Sequence, residues 1–180
     1  VSIAKMLTSF GADANQAATL FRSGQAHVYQ SGRIRVFGKD DDAGAFEFVE
    51  SDDGAWKKQK VGKFKKPFFE LNNHNKKMVV YLDPFSFLKH QGKHALWETK
   101  YSHDVLCLME PDDRVLDQHL AKSRHVSEIQ LFLGHANGVG TVELDFFNNL
   151  KARAAKFGIE VKQHHGHEKG RDRETDLPSM

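Results

Sequence analysis

IQLFLGHANGVGTVELDFFNNLKARAAKFGIEV, residues 129–161, reads as strand, loop, helix and strand in that order. Ile129–Leu133 is a short apolar run of the kind buried on both faces. Residues 134–140 hold three glycines and form the loop. Thr141 can cap the next helix, because its hydroxyl can accept a bond from a free N–H of the first turn. Val142, Phe146, Leu150, Ala154 and Phe157 recur at three- and four-residue spacing and give that helix an apolar face. Gly158 stops it, since glycine takes the left-handed conformation after a helix end without strain. Ile159–Val161 is the second strand. Such a unit is parallel and right-handed, which makes the chain α/β in type.

Upstream of that unit, residues 14–22 read as a helix capped by Asp13, with Ala17, Leu20 and Phe21 on one face. Residues 27–30 and 33–37 flank Ser31-Gly32 as a hairpin, and residues 45–50 and 55–64 form a second strand pair. Residues 68–71, 78–82 and 95–101 are further strands, and residues 105–109 form a continuous apolar strand. Pro111 opens a helix whose apolar face holds Val115, Leu116 and Leu120. The expected fold is therefore α/β in the broad α+β sense. An N-terminal helix and antiparallel strands precede an αβαβ part that forms a mixed sheet flanked by helices. Residues 1–162 are expected to form one domain, and residues 163–180 a charged, mobile tail.

Among the 180 residues, 39% are apolar and 28% charged, an ordinary globular balance, with 14 Phe as core material. A net charge of +2 is too small to imply a nucleic-acid partner by itself. No apolar run is long enough to span a membrane and no signal peptide is visible, so a soluble, cytoplasmic chain is expected. Cys107 is the one cysteine, so no intrachain disulfide can form, and its apolar surroundings mark a buried structural thiol.

Local charge is more informative. Lys57, Lys58, Lys60, Lys63, Lys65 and Lys66 are interleaved with Trp56 and Phe64. Lysines neutralise phosphates and aromatic rings stack on bases, which suits DNA or RNA. The plainer reading is a hairpin that sets these lysines against Glu47, Glu50, Asp52 and Asp53. Asp83, Glu98 and Lys100 form a second set. Alternation along a strand puts Glu98 and Lys100 on one face, where Asp83 and Glu98 could hold Mg and Lys100 could stabilise a phosphate.

Asp83 with Glu98-Thr99-Lys100 resembles the catalytic pattern of PD-(D/E)XK nuclease domains, although here Pro84 follows the Asp where that family places Pro before it. The resemblance implies Mg-dependent phosphodiester hydrolysis, with Asp83, Glu98 and Lys100 catalytic. Residues 113–161 are also similar in pattern to accessory domains of plasmid-transfer relaxases. That similarity implies a non-catalytic module that docks DNA or other domains of a larger protein. A third reading uses the backbone of Gly134, His135, Asn137, Gly138 and Gly140 to cradle a small phosphate. His164, His165 and His167 can bind a transition metal, as exposed histidine clusters do.

Overall fold

The computed structural model describes residues 2–12, 14, 16–41, 43–94, 103–133 and 141–164. Two short helices open the chain, Ser2–Ser9 (α1) and Gln16–Ser23 (α2). Four antiparallel strands follow: Ala26–Val28 (β1), Ile34–Phe37 (β2), Gly44–Glu50 (β3) and Trp56–Gly62 (β4). They pair in the order β1-β2-β3-β4, so β4 is an edge. Ile34, Val36, Phe46 and Phe48 point inward, and Arg35 and Glu47 alternate with them outward.

The second half builds the other sheet from Phe69–Leu71 (β5), Lys77–Tyr81 (β6), Asp104–Cys107 (β7), Glu128–Phe132 (β8) and Glu160–His164 (β9). The order is β5-β7-β6-β8-β9, with β5 antiparallel to β7 and the remaining pairs parallel. Pro84–His94 (α3), Asp113–Ala121 (α4) and Thr141–Ala155 (α5) connect the parallel strands. The α/β class and the parallel β8–α5–β9 unit are as expected. Helices α1 and α3 were not foreseen. The strand expected over residues 95–101 lies outside the described residues, as does the tail from 165 onward.

Both faces of the second sheet are apolar, as central parallel strands require. Val79, Tyr81, Val105, Cys107 and Phe132 join a core with the inner face of the first sheet, α1, α2 and α3. Met78, Val80, Leu106, Ile129 and Leu131 join a separate core with Leu116 and Leu120 of α4 and Leu150 and Ala154 of α5. Phenylalanine binds the two sheets into one core. The Phe85 ring lies 5.5 Å from Phe46 and 5.4 Å from Phe48, and Phe46 lies 4.9 Å from Phe64.

A buried carboxylate secures the lower end of β7. Asp104 is 1% exposed. Its Oδ1 accepts the backbone N–H groups of Asn73 at 2.9 Å and Asn75 at 3.2 Å. His125 Nε2 lies 2.7 Å from Oδ2. Burial pushes the Asp104 pKa up, but the bonds from His125, Asn73 and Asn75 outweigh it, and the pKa lies below the ordinary carboxylate value.

Asp104 therefore contributes stability that is complete above the unfolded carboxylate pKa of about 4 and is lost as pH falls through its lower native value. Asp104→Ala is expected to lose about 3 kcal/mol in urea unfolding at pH 7, since it strands buried N–H donors. The gap between wild type and variant should shrink as the pH falls below about 4.

Candidate nucleic-acid interface

A parallel sheet that reverses its winding direction leaves a crevice at the C-terminal ends of its strands. Here α3 carries the chain from β6 to β7 on one side, and α4 carries it back across to β8 on the other. The switch point therefore lies between β6 and β8. Asp83 stands there, just beyond β6. The residues that leave β8 are 134–140, so the Gly134, His135, Asn137, Gly138 and Gly140 cradle lies outside the described residues.

Asp83 begins α3 as its cap. Its Oδ1 accepts the backbone N–H groups of Phe85 at 2.8 Å and Ser86 at 2.9 Å. The capped helix also places Cys107, whose Sγ lies 3.4 Å from the Asp83 carbonyl oxygen. Burial, and then the Asp83 charge, push the Cys107 thiol well up, so it stays protonated and structural, as expected. Glu98 and Lys100 lie outside the described residues, and so does their geometry with Asp83. Among the described residues no group of three or more His, Cys, Asp or Glu side chains could hold a metal ion. His164 ends β9, and its ring lies 5.8 Å from that of His90. His165 and His167 lie outside the described residues.

The lysine-rich segment runs along β4 and into the connection towards β5. It does not pair with the acids of β3 in the simple way expected from the hairpin. Register sets Glu47 opposite Gln59 and Glu50 opposite Trp56. Glu47 instead binds Arg35, and Glu50 binds Lys5 at 2.7 Å. Lys57, Lys63, Lys65 and Lys66 are exposed and have no ion-pair partner among the described residues.

Lys58 and Lys60 reach across to the second sheet. Lys58 Nζ sits 4.8 Å from the Phe85 ring centroid and 5.0 Å from that of Phe46. Lys60 binds Glu110, just past the end of β7. Lys66 shares a shallow dimple with Glu110 and Asp112. The lysine ridge thus borders the C-terminal edge where Asp83 stands. Phe64 departs from its expected base-stacking role. It is 6% exposed and packs on Phe46, because its position turns it into the core.

Asp41 fixes the basic connection in place. Its Oδ2 accepts the backbone N–H groups of Lys65 at 2.8 Å and Lys66 at 3.1 Å, and its Oδ1 accepts that of Ala43 at 2.9 Å. Burial raises its pKa, but these backbone bonds prevail and hold it below the ordinary value. Lys39 joins the cluster, since its N–H donates to the Pro67 carbonyl at 2.9 Å. Neither Asp41 nor Lys39 stood out in the sequence. Both lie in the β2–β3 turn, and only tertiary pairing brings that turn to residues 63–67.

Gly62 makes the close approach possible. It has φ +73°, and a Cβ there would lie 2.2 Å from the Ala43 carbonyl oxygen. Gly54 has φ +85° but no atom within 4 Å of such a Cβ. Gly54→Ala is expected to cost about 1 kcal/mol, the backbone term alone. Gly62→Ala should cost at least about 2 kcal/mol more and displace the lysine connection. Paired denaturant curves measure the difference. No protein-family model, curated protein or solved structure matches the chain.

Proposed function

We propose that the protein is a nucleic-acid processing domain that holds a phosphate backbone along the seam between its two sheets. The observation that carries this reading is the fixed row of lysines beside the switch-point edge. Lys63, Lys65 and Lys66 are presented on a connection whose amides are held by Asp41. Lys58 and Lys60 extend the row to the ends of α3 and β7. Backbone phosphates bind such a row through charge neutralisation and counterion release. The chemistry proposed at the edge is Mg-dependent hydrolysis. Asp83 and Glu98 would hold the metal, which when bound would supply Lewis-acid activation of water for phosphodiester hydrolysis, and Lys100 would stabilise negative charge on the phosphate.

A second reading is a DNA-docking or protein-interaction module of a larger assembly. It is favoured by Asp83, whose Oδ1 is already committed to two backbone amides of α3. A small-phosphate site at residues 134–140 is a third reading. It draws its support from the topology of the switch point alone.

Retention and cleavage of labelled DNA and RNA, with and without Mg across a salt series, test these readings. Binding is expected to weaken steeply with salt, and replacing Lys63, Lys65 and Lys66 together by Ala should reduce the log–log salt slope by about 2–3. Asp83→Asn preserves a helix cap, and under the nuclease reading it abolishes cleavage while retaining binding. Salt-sensitive binding without cleavage by the wild type selects the docking module. Binding indifferent to salt and to the lysines would sink the nucleic-acid reading.

A further inference from the structure

The outward face of the first sheet offers a second kind of contact. Register aligns His27, Arg35, Glu47 and Gln59 in one row across the four strands. Beside it, Tyr29 pairs with Arg33 through a 2.9 Å backbone bond, and Val49 faces Lys57. The buried apolar residues of α1, α2 and α3 gather with Ile34, Val36, Phe46 and Phe48, which point the other way.

This face is charged and aromatic in an organised way. Glu47, 3% exposed, takes a 2.8 Å bond from Arg35 Nε and a 2.9 Å bond from Gln59 Nε2, and Arg33 lies 3.5 Å away. The Arg35 bond, and then the Gln59 bond, hold the Glu47 carboxyl below its ordinary pKa, so it stays charged and fixes the arginines. Their guanidinium carbons stand 5.4 Å (Arg35) and 5.9 Å (Arg33) from the Tyr29 ring centroid. The exposed His27 ring meets Tyr29 edge-on at 4.6 Å. One carboxylate thus organises an aromatic ring and two cations, and with Lys57 the face keeps an excess of positive charge.

We infer that this face is a stacking platform for single-stranded nucleic acid, an inference that rests on the nucleic-acid reading of the lysine ridge. Unpaired bases stack on aromatic rings and guanidinium planes, whereas bases inside a duplex present no free face. Strand β4 joins the two surfaces, with Lys57 on the platform side and Lys58 and Lys60 on the other. Asp52 and Asp53, in the β3–β4 turn, repel a polyanion at that end and direct it along β4 towards residues 63–66. The platform supplies base contacts and the ridge supplies phosphate contacts.

Fluorescence polarisation of an oligothymidine, a matched duplex and an abasic oligonucleotide of equal length tests the assignment. Wild type is expected to favour the oligothymidine. Tyr29→Ala should weaken that complex about tenfold, the scale of one lost stack, with abasic binding and salt slope unchanged. Tyr29→Phe should retain affinity. Tyr29→Leu and Arg33→Gln probe the same face if Tyr29→Ala fails to fold. Equal affinity for all three probes, indifference to every Tyr29 variant, or equal binding of polyglutamate would overturn the platform while leaving the lysine ridge standing. Loss of salt-sensitive binding to every probe would remove the ridge reading and the platform with it.

Discussion

The packing of the first turn of α3 against the first sheet is the contact on which the rest of the structure depends. Asp83 caps the helix, and two residues later Phe85 enters the cluster formed by Phe46 and Phe48. Burying one such ring against others contributes on the order of 3 kcal/mol. Position matters as much as energy here. Because α3 leaves the C-terminal end of β6, this contact holds the edge strand β4 and its lysines against that end of the second sheet. Lys58 completes the junction by lying over the same two rings.

Two buried carboxylates divide the remaining work. Asp104 closes the lower end of β7 against the β5–β6 connection, and Asp41 closes the upper connection between β4 and β5. Each accepts backbone N–H groups from loops that no regular element would otherwise hold. Each carries a lowered pKa for that reason. A loop fixed in this way presents its side chains from an ordered backbone, which lowers the entropy cost of any contact it makes.

The second sheet brings a different kind of order. Its winding reversal between β6 and β8 creates a crevice whatever residues line it, so fold alone names the place and not the chemistry. The chemistry comes from the neighbouring sheet. A ridge of lysines borders the crevice, and the outward face of the same sheet carries Tyr29, Arg33 and Arg35, across β3 from β4. On the proposed reading, phosphate contact and base contact would be divided between two sides of β4.

The sequence by itself determined the β8–α5–β9 unit, because apolar runs, helical spacing and Gly158 all act locally. It also marked the strand pair at residues 45–50 and 55–64, of which β4 ends at Gly62, and the burial of Cys107. It did not reveal α3. Asp83 as cap and Pro84 at the first helical position are local signals that could have marked its start, and the packing of Phe85 and Phe87 decides which way its apolar residues face. The lysine segment was visible, but its partners were not. Pairing by register set Glu47 against Gln59 and gave that carboxylate to Arg35 on the other neighbouring strand. The latch at Asp41, the burial of Phe64 and the meeting of the ridge with the switch-point edge were decided by tertiary structure, since each joins residues whose proximity no local pattern encodes.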